Sequence, residues 1–344
     1  MGYAEKIAEN CENTCKHKWW PKFAFHYTDV SNAVSILDSG FLYSRVDATR
    51  MNLMKNDNAS RQVIDMTETE ALANVRFYFR PLTPTQYNNE GFKHPDLRYD
   101  GDQNANVPVP IFLLFNLEKL LQMPLTTFSE QAQSGHGTEK HSDLSAFENL
   151  DFAKIYSTGP TGDDREILKY RHAEILYPNS FPIDSCLQFV LCRNDAEKIT
   201  FLNLLREQSS TAFYKYKDKI KVCKEGMFEK NGLFVSDYVY HNNTLSISFS
   251  NTFDKQQFDK KRMKSICLDK LPALKAQAQF EWVNGKKIVN TLTSNFEIDY
   301  LNIRPITFSK LPEYKDSKSL KIKLLFDGNI MFYKEQSLAE SELL

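Results

Sequence analysis

The chain has 344 residues, 42% of them hydrophobic, 13% aromatic and 25% charged, with a formal net charge of −1. This is the make-up of a folded chain of about two domains, which excludes a disordered or collagen-like polymer, and no run approaches the ~18 apolar residues of a membrane span. The near-neutral total hides an asymmetry: residues 1–210 carry 21 basic against 28 acidic side chains, and residues 211–344 carry 22 against 16. A basic C-terminal half suits a phosphate backbone or an acidic protein partner.

The opening Met1–Lys6 has no apolar stretch behind its charge, so no secretory leader is expected and the cytoplasm is the expected compartment. Six scattered cysteines (Cys11, Cys15, Cys186, Cys192, Cys223 and Cys267) fit reduced thiols better than a disulfide framework. Cys11, Cys15 and His17 would make half a zinc site, but no second Cys or His pair at ligand spacing follows, so an N-terminal helix is the simpler reading and no metal is expected. Val30, Ala33, Val34, Ile36 and Leu37 recur at helical spacing up to Gly40, where a C-cap belongs. Residues 74–79 and 111–115 are aromatic or β-branched runs that read as strands. The segment 81–110, rich in proline, Asn and Gln, is expected to cross the surface as a recognition loop. A second polar loop runs over 131–162, and a strand or helix begins after it.

Residues 196–207 form a helix behind Asn194 and Asp195, either of which suits an N-cap. The lysines of 215–224 mark a junction and alternate with apolar residues as an edge strand would. The domain boundary is placed there, giving domains 1–210 and 211–344. Beyond it, residues 234–240 with 244–249, 279–283 with 286–292, and 320–326 with 329–333 read as hairpins closed by Asn, Gly and Asp turns. Three hairpins point to a β-rich sandwich or barrel.

Walker, Gly-x-Gly-x-x-Gly, Gly-x-Ser-x-Gly and His-Glu-x-x-His patterns are all absent. What remains is polar residues flanking strands: His26-Tyr-Thr28, Arg61, the Phe77-Tyr-Phe79 run, and Glu174 within the apolar stretch Ala173-Glu-Ile-Leu-Tyr177. A carboxylate in such a strand must face solvent or be paired, because burying it alone is costly.

Four segments together resemble the DarT-like nucleic-acid ADP-ribosyltransferases, toxins of bacterial toxin–antitoxin and phage-defence systems. They are His26-Tyr-Thr-Asp-Val-Ser-Asn32 continuing through Ile36-Leu and Gly40, Val75-Arg-Phe-Tyr-Phe-Arg-Pro-Leu-Thr-Pro84, Ala146 to Tyr156, and Asp164 to Leu176 with its Ala-Glu pair. Order and spacing agree over about residues 22–210. The resemblance implies an α+β fold, a mixed-sheet transferase core with helices, that splits NAD and moves ADP-ribose to a base of single-stranded DNA or RNA without a metal. It also implies a neutralising antitoxin, with a chaperone as another expected partner.

On this resemblance Glu174 is the catalytic glutamate, assisted by Arg61, with Arg45 and Arg50 competing for the phosphate-binding role. His26, Thr28, Asn32, Arg45 and Tyr78 would hold NAD, Phe77 and Phe79 facing the core by alternation. His136, His141 and His172 are candidate contacts to the acceptor strand. Two positions depart from the family pattern, Leu82 where an Arg is common and His172 where a Gln precedes Ala-Glu, which leaves the acceptor base and polymer open. The third departure is the C-terminal half, whose lysines at 260–264 and 215–224 suit nucleic-acid backbone or a docking antitoxin. An ADP-ribosyltransferase acting on protein, or a non-catalytic sensing module, are the rival readings.

Overall fold

The computed structural model describes residues 2–57, 64–65, 69–99, 105–133, 138–161, 166–223 and 226–338. In chain order the first part contributes α1 (Tyr3–Glu9), β1 (Phe23–Asp29), α2 (Val30–Ser39), β2 (Phe41–Tyr43), β3 (Asn74–Tyr78), α3 (Pro84–Asn89), β4 (Pro110–Asn116), β5 (Thr127–Ser129), β6 (Glu174–Pro178), β7 (Ser180–Pro182), β8 (Leu187–Cys192), α4 (Asp195–Gln208) and β9 (Ile220–Val222). Seven of the strands form one mixed sheet in the order β5-β6-β3-β1-β4-β8-β9, antiparallel except for β8 with β9, while β2 and β7 make a separate ribbon. Apolar on both faces, β4 sits near the middle of the sheet and is buried from Pro110 to Phe115. The Asp29 carboxylate accepts from the Ser31 amide at 2.9 Å to start α2, and Gly40 ends it at φ +75°, a conformation that favours glycine. The lysine-bearing strand β9 closes the sheet edge, so the first sheet extends to Val222.

The second part contributes β10 (Val235–His241), β11 (Thr244–Phe249), α5 (Phe253–Ser265), β12 (Leu274–Asn284), β13 (Lys287–Ile298), β14 (Ile306–Phe308), β15 (Ser319–Phe326) and β16 (Asn329–Ser337). All three expected hairpins form, β10–β11, β12–β13 and β15–β16. They build sheets β10-β11-β14 and β13-β12-β15-β16, whose alternating inner residues share one apolar core. Ring contacts such as Phe280–Phe308 at 5.1 Å and Tyr238–Phe332 at 4.9 Å join the two layers. Helix α5 carries Lys260–Lys264 and was not legible as a helix. Its inward positions are Lys255 and Asp259, bonded at 2.7 Å and buried, where periodicity would look for apolar residues.

The segment 81–110 corrects the expectation of a surface loop: its described residues form the seam between the two parts. Glu90 and Lys93 are fully buried. Arg193 Nη2 donates to Glu90 at 2.9 Å, Lys93 Nζ donates to the Asn231 side chain at 2.8 Å, and Gln86 Nε2 donates to the Met227 carbonyl at 2.8 Å. Polarity in this segment therefore means mutual pairing rather than hydration, a distinction composition cannot make. The backbones of 90–92 and 232–233 cross so closely that a Cβ on Gly232 would lie 2.3 Å from the Glu90 carbonyl oxygen. Helix α4 lies in the same seam. Its Thr200 and Asn203 accept from the Tyr333 and Glu335 amides at 3.1 and 3.2 Å, covering the outer edge of β16.

Candidate active site

A cleft opens where β1 and β3 meet α2, the β2 ribbon and α3. Among its lining residues are His26, Thr28, Asn32, Tyr43, Arg45, Asn56, Arg76, Tyr78 and Thr85. Alternation along β3 sends Asn74, Arg76 and Tyr78 to the cleft and Val75 and Phe77 to the core, where Phe77 and the following Phe79 are fully buried.

Glu174 opens β6, directly opposite Tyr78 on β3 and Ser129 on β5. It is completely buried, yet it is paired: Arg76 Nε donates to Oε2 at 3.1 Å and Nη2 to Oε1. The two-pronged guanidinium fork is the partner that makes a buried carboxylate tolerable. Burial works against the charge of Arg76, but the Glu174 carboxylate and Tyr78 beside it hold the guanidinium above its ordinary value. Burial, with Glu174 adding to it and Arg76 opposing, pushes the Tyr78 phenol up to about 12, so it stays protonated.

The His26 ring bonds through Nδ1 to the Arg76 carbonyl at 3.0 Å. A carbonyl can only accept, so Nδ1 carries the proton and Nε2 is left as an acceptor. Burial lowers the pKa of His26, and the ring is neutral. Asn32 is committed to the protein: its amide donates to the Asn56 carbonyl at 2.6 Å and its oxygen accepts from the Lys55 amide at 2.8 Å, which fixes residues 55–56 as one wall of the cleft. Arg45 is likewise held, in a two-bond pair with Asp57 at 2.8 Å each. Arg50 is mostly exposed and pairs with Asp47 away from the cleft lining.

Of the histidines proposed for the acceptor, the two that are described, His141 and His172, do not line the cleft. His172 lies behind the cleft wall, donating from Nδ1 to the Leu168 carbonyl and accepting at Nε2 from the Thr85 hydroxyl, both at 3.2 Å, and burial pulls its pKa to about 4. His141 bridges Phe128 on the outer edge of the sheet. His136 and Arg61 fall outside the described residues.

Sequence reading gave no role to Arg76, the residue that most shapes the site. The signal was present, since a position two before Tyr78 on the same strand shares its face. Also missed were Tyr43, whose ring lies 5.9 Å from that of Phe41 at the cleft mouth, and Arg80, which is buried and donates to the carbonyls of Pro81 at 2.9 Å, Ile155 at 3.1 Å and Ser157. Arg80 thereby ties the end of β3 to the far side of the 131–162 region. Burial pushes the Cys15 thiol up to about 11, and among the described residues no cluster of His, Cys, Asp and Glu could hold a metal ion. No helix among the described residues is long and apolar enough to cross a membrane.

A family model described as "ssDNA thymidine ADP-ribosyltransferase, DarT" matches residues 25–223. No curated protein matches the chain. Among solved structures, it is similar to Thermus sp. 2.9 DarT in complex with carba-NAD+, at 15% identity over 61% of this chain and 98% of that one, with a TM-score of 0.47. The same Thermus protein in complex with ADP-ribosylated ssDNA gives 15% identity, 63% and 99% coverage and a TM-score of 0.46. Thermosipho africanus DarTG in complex with ADP-ribose gives 13% identity, 64% and 54% coverage and a TM-score of 0.43. The family match takes in all seven strands of the first sheet bar the first two residues of β1, and spans well over half of the chain, which belongs to the DarT family of single-stranded-DNA thymidine ADP-ribosyltransferases.

Proposed function

We propose that the protein transfers ADP-ribose from NAD to the thymine base of single-stranded DNA, with Glu174 as the catalytic carboxylate and Arg76 as the residue that positions it. The observation that carries this reading is the buried pair of Glu174 with Arg76, whose guanidinium lines the cleft beside His26, Thr28 and Tyr78. NAD lies in that cleft. His26 Nε2 and the Thr28 hydroxyl offer an acceptor and a donor to its ribose or amide, and Tyr78 packs beside the nicotinamide. As the bond from nicotinamide to ribose C1′ breaks, positive charge develops on the ribose, and the fixed carboxylate of Glu174 stabilises it. The ring N–H of thymine then attacks C1′, its proton passing to Glu174, while nicotinamide leaves with the electron pair of the broken bond. Such modification of a cell's own DNA calls for restraint, and the reading includes a toxin held in check by an antitoxin protein.

The test offers labelled NAD together with single-stranded DNA, duplex DNA, RNA and denatured protein in one mixture. Label on single-stranded DNA alone, lost in Glu174→Gln, supports the reading; label on RNA or protein in preference to DNA refutes it.

A further inference from the structure

The proposed reaction needs a flexible strand delivered to the cleft, and the second part of the chain carries a surface suited to that task. Helix α5 presents Phe253, Gln257, Lys260 and Lys264 as one stripe, since these positions fall within about 60° of each other at 100° per residue, with Lys261 flanking them. All five are exposed, Phe253 at 71%. The acidic Asp259 of the same helix points inward, bonded to Lys255, while the exposed Asp254 lies on the flank beside Lys261, outside the stripe. From Phe253 to Lys264 the stripe runs about 16 Å, room for several nucleotides of a single strand.

This helix abuts the cleft through α3. Thr85 and Asn89 of α3 line the cleft, whereas Tyr87, two residues on from Thr85, is 43% exposed and meets the Phe258 ring edge-on at 5.6 Å, on a flank of α5 about 130° round from the stripe. Asn231 fixes that position by donating to the Tyr87 carbonyl at 2.8 Å. An exposed aromatic beside the cleft, a second at the head of a lysine row, and a basic half to the chain together have the form of a single-strand path: bases stack on rings and phosphates meet ammonium groups. We infer that the strand leaving the cleft crosses Tyr87 and lies along the Phe253–Lys264 stripe of α5, which makes the C-terminal part a single-stranded DNA guide. This rests on the reading of the cleft as the transfer site.

The test measures binding of a fluorescent twelve-nucleotide thymidine strand to the full chain as salt is raised, beside transfer kinetics on the same strand. Replacing Lys260, Lys261 and Lys264 by Gln should lower the slope of log affinity against log salt by about 2, since each phosphate contact to a single strand contributes about 0.7. Phe253→Ala should weaken binding about fivefold or more through lost stacking. In both variants KM for the strand rises while kcat stays put. Unchanged slope and affinity in the variants, or no binding by the unaltered chain, overturns the path and leaves the transfer reading standing. Lysine-dependent binding without any transfer to DNA removes the transfer reading and, with it, the path out of the cleft, leaving α5 a DNA-binding surface alone.

Discussion

Removing Arg76 is the sharpest probe of the site. Glu174 has no exposure to solvent, and both of its oxygens accept from the one guanidinium. Arg76→Met strands the carboxylate, a change that costs about 3–5 kcal/mol when a buried pair is broken from one side. The Arg76 side chain is 24% exposed, so water enters where the guanidinium stood, and the expected cost is at the lower end, about 3 kcal/mol. Glu174→Gln alone keeps the shape but turns an N–H toward the donors of Arg76, for a loss of about 1–2 kcal/mol. The double variant carries no charge at all, so its loss should fall short of the summed singles by about 2 kcal/mol. Urea unfolding at constant m-value measures all three. Losses that add to within about 0.5 kcal/mol would show that the two residues act independently, and the account of a positioned carboxylate would fail.

Burial holds His172 at about 4, below its unfolded value of about 6.5, so the folded state resists the proton; stability should fall as pH drops from 6.5 to 4, by no more than about 3 kcal/mol, and His172→Gln should remove that slope in pH-dependent unfolding. Asp29 behaves oppositely: burial raises it to about 6, so its charged form is a burden above that pH, and Asp29→Asn, which keeps the cap on α2, should raise stability at pH 7 by about 1–3 kcal/mol and flatten the dependence between pH 4 and 6. Gly232→Ala would press a methyl onto the Glu90 carbonyl at 2.3 Å, and the melting temperature should drop by several degrees; an unchanged melt would refute the close crossing of the two backbones.

The fold was readable wherever local pattern decides it. The apolar stripe of α2 and its terminal Gly40, the three hairpins and the all-apolar β4 each follow from periodicity or turn chemistry, and the structure has them all. The seam was not readable, because Glu90, Lys93 and Gln86 look hydrophilic in sequence and their partners Arg193, Asn231 and Met227 lie more than 100 residues away. For the same reason α5 was missed, its buried face being a lysine and an aspartate. In the site, Glu174 stood out as a carboxylate in an apolar strand, but the chemistry that makes it tolerable comes from Arg76 across a sheet register that sequence does not specify. Asn32 and Arg45 line the cleft with their polar atoms engaged by Asn56 and Asp57, a detail only packing reveals.

A thymidine-containing single strand is incubated with NAD and the full chain, digested to nucleosides and weighed by mass spectrometry, beside Glu174→Gln. Thymidine heavier by one ADP-ribose is expected in the first sample and unmodified thymidine in the second. Unmodified thymidine in both, or an equal yield from Glu174→Gln, would contradict the transfer reading.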